Sequence, residues 1–250
     1  MSLCELTPEV DTHTHTVISG HAWSTLTENC LAAKARGMKG LCLTEHGPAI
    51  EGGAPEYIPH SQRMLPDEID GIRVYRGIEA NVLDHQNHLD IPEHYLKFCE
   101  FAIASIHTHM FPERADRDAN TATYLAMLQN PYIDMLGHPD DPSVPCDFEA
   151  IVEEAGKCGK LLEFNNNSTT AHRPGSLPSL KEYILCCRRH GQRVCVSSDA
   201  HFHTMIGNVK PILTLMDELD FPQELIVNLT QERFEAYLAE RKQRISACAE

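Results

Sequence analysis

Seven short apolar runs punctuate the chain, at residues 9–15, 40–46, 74–81, 101–107, 133–138, 161–166 and 194–201, and each gives way to polar or ionisable residues. Their length and β-branched content predict strands. Between them, helical patterns run over 29–36, 119–129, 148–158, 178–190 and 209–219. Boundary residues fit this reading: Thr27 and Glu28 open the first helix and Gly37 stops it, Asp147 caps the third ahead of Gly159, and Gly191 closes the fourth. Strands alternating with helices predict parallel strands joined by crossovers, as a barrel or an open doubly wound sheet. No linker, low-complexity segment or fixed-period repeat interrupts the alternation, so residues 1–250 are expected to form a single domain. The longest loop after a strand, 47–62 with Gly52, Gly53, Pro55 and Pro59, is expected to lie over a site. The stretch 203–250 reads as helices packed on the barrel, with Leu238 and Ile245 in the core.

Composition narrows the function. Asp and Glu number 36 against 21 Lys and Arg, a formal charge of −15, which is the wrong sign for a protein that tracks nucleic-acid phosphates. Ten cysteines contain no C-x-x-C and fall in apolar or helical stretches, so they read as reduced, buried residues of a cytoplasmic protein. The start of the chain has no basic and apolar leader, and no run approaches 18 apolar residues, so neither export nor a membrane anchor is expected. Histidine is the excess: 15 residues, against a single Trp. Clustered histidine most commonly serves metal.

The histidines fall where strands end. Asp11, His13 and His15 close the first run, and alternation along a strand would aim all three the same way. Asp199 and His201 form a second i, i+2 pair at the end of the last run. Between them, His46, Glu79, His107 and His138 each sit at the C-terminal end of a predicted strand. In parallel α/β folds those ends face a common crevice. Any one of these residues alone could be a core or solvated side chain; recurrence at one structural position points to a metal centre. Imidazole with carboxylate and no thiolate suits zinc first, with manganese or iron as alternatives. The set exceeds what one catalytic ion with three protein ligands can use, so at least two ions are expected. Ions about 3.5–4 Å apart can clamp the attacking and leaving oxygens of a phosphoryl displacement.

The ordered motifs Asp11-x-His13-x-His15, Thr44-Glu45-His46, Gly77-Ile78-Glu79, Ile106-His107, Gly137-His138-Pro139 and Ser198-Asp199-x-His201 resemble those of the PHP superfamily, named for polymerase and histidinol phosphatase. Thr44-Glu45-His46-Gly47-Pro48, Arg76-Gly77-Ile78-Glu79-Ala80-Asn81 and Glu163-Phe164-Asn165-Asn166-Asn167-Ser168 are similar to its YcdX-like stand-alone phosphatases. The resemblance implies an α/β fold, a distorted (β/α)7 TIM-like barrel, and three divalent transition-metal ions. It implies His13, His15, Glu79 and Asp199 on one ion, Glu79 bridging to a second held by His107 and His138, and His21, His46 and His201 on the third. His21 enters only through the resemblance, because it lies in the loop after the first strand. The implied chemistry is phosphoester hydrolysis with a metal-bound hydroxide as nucleophile. Glu45 departs from the Asp usual in the family, a change that bears on how His46 is oriented more than on binding.

Beyond the ligands, Asn165, Asn167, Ser168 and Arg173 follow a strand on the metal side. Arg173 is the candidate for a bidentate clamp on the substrate phosphate, against a plain solvated loop arginine. Asp11 is expected to hydrogen-bond His13 or His15. His109 and His203 share the faces of proposed ligands; His109 could donate a proton to the leaving oxygen or line the rim. His60, His85, His88, His94, His172 and His190 read as surface residues. The leading function is a metal-dependent phosphatase acting on a small phosphorylated metabolite. The alternatives are an amidohydrolase, disfavoured because Ile106-His107-Thr108-His109 offers no lysine to carbamylate, and a non-catalytic metal-binding barrel. No membrane or nucleic-acid partner is expected, and homo-oligomerisation stays open.

Overall fold

The computed structural model describes residues 2–111 and 116–248. Its strands are β1 (Val10–Thr14), β2 (Gly40–Leu43), β3 (Glu68–Ile69), β4 (Ile72–Asn81), β5 (Phe101–Ser105), β6 (Met135–Leu136), β7 (Leu161–Asn165) and β8 (Val194–Ser197). Its α-helices are α1 (Leu26–Ala35), α2 (Ile58–Ser61), α3 (Glu93–Leu96), α4 (Arg117–Gln129), α5 (Phe148–Cys158), α6 (Ser176–His190), α7 (Lys210–Glu218) and α8 (Gln231–Cys248). The strands run in the order β1-β2-β4-β5-β6-β7-β8, every one of these pairs parallel. A parallel bridge between Thr14 and Ala200, with His15 N–H donating to Ala200 O at 2.9 Å, brings the two ends together. The result is a nearly closed barrel of seven parallel strands, with helices between them.

The seven predicted strands are these seven, shortened at most of their ends. β3 is the addition: it pairs antiparallel with β4 across Asp70-Gly71, where φ is 53° and 86°. Two left-handed residues in a two-residue hairpin are what an Asp-Gly pair supplies, so the signal was present in an element too short for periodicity. The five predicted helices correspond to α1 and α4 to α7; α5 has the predicted ends, Phe148–Cys158, and the others are shifted by one to three residues. α1 starts earlier than Thr27, because Thr25 and Glu28 make a reciprocal capping box: Glu28 N–H donates to the Thr25 hydroxyl at 3.3 Å and Thr25 N–H to the Glu28 carboxylate at 2.7 Å. The 47–62 segment is not all loop, since its last residues form α2.

Alternation along the strands sorts the barrel into two faces. Val10, Cys42, Tyr75, Phe101, Met135, Leu161 and Cys195, one per barrel strand, cluster with Phe234, Tyr237 and Leu238 of α8, which plugs the N-terminal end. The outward residues Ile78, Ala102, Leu136, Leu162 and Val196 belong to the larger cluster beneath the helices. Each large side chain so buried stabilises the fold by roughly 1.5–3 kcal/mol. α8 is also bound to the barrel floor through Asp134, which is fully buried. Asp134 accepts from Arg241 Nε at 2.7 Å and Arg244 at 3.0 Å, and from Ala102 N–H at 2.9 Å. Of the two tail residues expected in the core, Leu238 is there; Ile245, two turns further along the same face of α8, is only half-buried and borders a surface cleft. The nine described cysteines are unpaired. Among the described residues, no helix is long and apolar enough to cross a membrane.

Candidate metal centre

Apart from Asp134 and its two arginines the floor of the barrel is apolar; the opposite, C-terminal mouth carries the histidines. β1 reaches it through an irregularity: Asp11 pairs with Leu41 but Thr14 with Leu43, so β1 spends one residue more than β2 over that stretch. A bulge of this kind resets which side chains face inward. His13 and His15 point into the barrel, while Asp11 does not join them. Its carboxylate accepts from the backbone N–H groups of Ser198 at 3.1 Å and Gly207 at 2.8 Å, and from the Ser198 hydroxyl. The expected bond from Asp11 to an imidazole is therefore absent, and the residue ties β1 to the segment after β8 instead.

Glu79, at the end of β4 and fully buried, is the hub. Its Oε2 lies 2.7 Å from His46 Nδ1, 3.2 Å from His13 Nε2 and 3.6 Å from His15 Nε2; its Oε1 lies 3.2 Å from His138 Nε2 and 3.3 Å from His107 Nε2. Asp199 Oδ1 stands 3.3 Å from His15 Nε2 and 3.6 Å from both His13 Nε2 and His201 Nδ1. His21, on the loop after β1, meets His201 with their Nε2 atoms 2.9 Å apart. The structure thus brings all nine predicted ligands together. Gathered most tightly are His13, His15 and Asp199; His46, Glu79 and His107; and His15, His46 and His201.

Whether this cluster suits metal is decided by its unsatisfied atoms. His13 Nε2, His15 Nε2, His46 Nδ1 and Glu79 Oε2 are buried, make no hydrogen bond, and face one another. Leaving such atoms unpaired is costly, and water does not reach them. Two ligands about 2.1 Å from one ion at a tetrahedral angle stand about 3.4 Å apart; most pairs here lie at 3.2–3.6 Å, with His46 and Glu79 closer at 2.7 Å. The donor set of imidazole and carboxylate fits divalent transition metal.

The surrounding residues fix the rings. His13 donates from Nδ1 to Glu163 at 2.6 Å, and Glu163 also accepts from His138 N–H at 2.6 Å and from the Ser197 hydroxyl. His107 donates from Nδ1 to Asn81 Oδ1 at 2.7 Å. Both bonds turn Nε2, with its lone pair, toward Glu79. Ser19 contacts His15 Nδ1 at 3.1 Å, accepts from His46 N–H at 3.0 Å, and donates to Glu45 at 2.5 Å, so Glu45 steadies two ligands from behind. Glu163 was visible in the sequence only as part of a motif; an isolated Glu on an apolar strand, aimed inward by parity with Leu161, was the available signal. His138 and Asp199 adopt left-handed backbone at φ 32° and 51°, unusual for non-glycine residues and consistent with ligands placed by turns beyond the strands. Gly137 is required beside them: a Cβ there would lie 2.0 Å from Ser105 Oγ.

Charge is balanced tightly. Burial opposes ionisation of Glu79 and Asp199, but the neighbouring histidines outweigh it and hold both carboxyls well below the usual range; His13, His107 and His46 act on Glu79, and His13, His15, His201 and Arg173 on Asp199. Burial likewise works against a charged His13, yet Glu79, Glu163 and Asp199 raise its affinity for a proton. His15 is pushed well down by burial and by His46 and His201, and His21 to about 4 by burial and the same two rings. Ionised carboxylates and neutral imidazoles are the forms that bind a cation.

Arg173 reaches the rim, where one terminal nitrogen, Nη2, donates to Asp199 Oδ2 at 3.0 Å and the other, Nη1, is buried without a partner. Asn165 Nδ2 donates to the same carboxylate oxygen at 3.1 Å, and Asn167 to Asp199 O at 3.3 Å. His109 is exposed, its ring centred 6.1 Å from that of His107. His203 packs outside, its N–H donating to Ser24 Oγ at 2.8 Å.

A parallel (β/α) barrel with a histidine and carboxylate cluster at its C-terminal mouth defines a metal-binding barrel protein of the hydrolase type. The PHP domain profile matches residues 11–167, and the chain belongs to this family. It is 36% identical over 236 residues to a probable phosphatase of Caldanaerobacter subterraneus, covering 94% of this chain and 93% of that protein. A probable phosphatase of Acetivibrio thermocellus is 38% identical over 236 residues, covering 94% and 97%. Among solved structures, the histidinol phosphate phosphatase of Lactococcus lactis, complexed with zinc, L-histidinol and phosphate, shares the fold at a TM-score of 0.59 and 18% identity, covering 85% of this chain and 94% of that one.

Proposed function

We propose that this chain is a metal-dependent phosphatase that hydrolyses phosphomonoesters of small metabolites at a three-ion centre. The observation that carries the reading is the set of buried, unpartnered ligand atoms converging on Glu79. His13, His15 and Asp199 would hold one ion and His107 with His138 a second, with Glu79 shared between them; His21, His46 and His201 would hold the third. Bound there, the ions supply charge neutralisation for the phosphoryl group and an activated water. Glu163 and Asn81 keep the rings in the tautomer that presents Nε2. Arg173 extends its free nitrogen to a phosphate oxygen while its other nitrogen is steadied by Asp199. His109, exposed at the rim, would pass a proton to the leaving alcohol. The relatives described as probable phosphatases support the activity. The amidohydrolase reading lacks its lysine: the one buried lysine among the described residues, Lys160, bonds Asn130 O and Ile133 O at the opposite end of the barrel.

The test is elemental analysis of protein reconstituted with zinc or manganese, run beside a panel of phosphomonoesters. More than two equivalents of metal and hydrolysis abolished by chelation are expected. One equivalent or fewer would overturn the three-ion centre, and a loaded protein inert on every ester would overturn the phosphatase.

A further inference from the structure

A cleft of about 450 Å³ opens beside the metal cluster, and its two ends differ in chemistry. The inner end is formed by His21 and His201, which would hold the third ion, and by Arg173, which would meet the phosphate. The outer end is walled by Trp23, Phe202 and Met205. Trp23 is the chain's single tryptophan, and it is 79% exposed; Phe202 is 40% exposed. Elsewhere Tyr75, Tyr124, Tyr183, Phe101 and Phe164 are fully buried, and among the described aromatic residues Tyr57, at 52%, is the other exposed one. Trp23 and Phe202 are thus two of the three exposed aromatic rings among the described residues, and these two share one cleft.

Their backbones are stitched to the cluster. Trp23 N–H donates to His201 O at 2.8 Å, and His203 N–H donates to Ser24 Oγ at 2.8 Å, joining the 21–24 loop to the 201–203 segment. Trp23 is two residues from His21, and Phe202 is next to His201. Phe202 is further braced by His203, with ring centroids 4.2 Å apart. A phosphate seated at the inner end thus places the ester's alcohol portion against a preset wall of aromatic faces and a thioether, groups that recognise flat π-systems by stacking and offer few partners for hydroxyls.

From this we infer that the enzyme selects phosphomonoesters whose alcohol carries a flat aromatic or heteroaromatic ring, stacked on Trp23, over linear polyol and sugar phosphates. The inference rests on the phosphatase reading and narrows its substrate class.

Trp23 makes the test direct, because its emission reports the cleft without turnover. Metal-loaded protein is titrated with benzylphosphonate and with methylphosphonate, neither of which can be hydrolysed. Saturable quenching or a spectral shift with the benzyl compound, well beyond that with the methyl compound, is expected. In parallel, kcat/KM is measured for benzyl phosphate and adenosine 5′-monophosphate against glycerol 3-phosphate and glucose 6-phosphate, all esters of alkyl alcohols. The ring-bearing esters should lead, and Trp23→Ala should cut their advantage about tenfold, with Trp23→Phe restoring most of it. Identical spectra with both phosphonates, or equal loss on all four esters in Trp23→Ala, would overturn the inference and leave the phosphatase standing. A benzyl-specific spectral response in a protein that cleaves no ester would sustain the aromatic cleft while removing the phosphatase.

Discussion

Oε1 of Glu163 lies 2.6 Å from Nδ1 of His13, and both side chains are sealed from solvent. This contact makes Nδ1 the donor and commits Nε2 to the cluster. Groups that only orient a ligand are worth roughly 10- to 100-fold in metal affinity or activity. Glu163→Gln keeps the size but drops the charge and weakens the hold on His13, so metal affinity and kcat/KM should both fall within that range. Competition with a chelator of known affinity, read beside turnover, checks it; wild-type affinity would mean that the ring is fixed by packing alone.

Glu79 should matter more. Its two oxygens serve opposite sides of the cluster, and a neutral amide cannot hold two cations near each other. Glu79→Gln should lower bound metal by at least one equivalent and reduce turnover by more than the roughly 100-fold that marks the upper end for orienting groups. Metal quantitation on dialysed protein decides whether the loss is of ions or of chemistry.

For Arg173, a partnered nitrogen on Asp199 and a buried free one predict a mixed phenotype. Arg173→Ala should lower kcat/KM by about one to two orders of magnitude, roughly 1.4–2.7 kcal/mol of transition-state stabilisation. Arg173→Lys should recover only part, since an ammonium lacks the planar fork. Metal content is measured alongside, because Asp199 loses a partner. Unchanged efficiency in the alanine variant would make Arg173 an ordinary loop residue.

At the other end of the barrel, Asp134 binds Arg241 and Arg244 of α8. Breaking a buried pair leaves a charge without its partner and costs about 3–5 kcal/mol. Asp134→Asn should therefore destabilise the protein by about 3 kcal/mol, lowering the melting temperature by roughly 6–12 °C. Calorimetry reads this, and metal stoichiometry in the folded protein should match wild type, since the site lies at the opposite mouth.

Much of this protein is legible from the chain alone. The barrel strands are buried along most of their length, so most of them show as short runs rich in apolar residues, and the ligands announce themselves because a parallel barrel gathers strand ends at one mouth. Residue type and position carried that information. What the chain could not show is aim. Pleat alternation put Asp11 beside His13 and His15, and a one-residue bulge, visible only once β1 is paired with β2, turned it to Ser198 and Gly207. His138 and Asp199 lie beyond their strands on left-handed backbone that no periodicity encodes. Glu163 became the support of His13 only when barrel closure set β7 one strand away from β1, with β8 between them. Local patterns fix which residues lie near the mouth; register, closure and turn conformation, set by long-range pairing, decide where each side chain points.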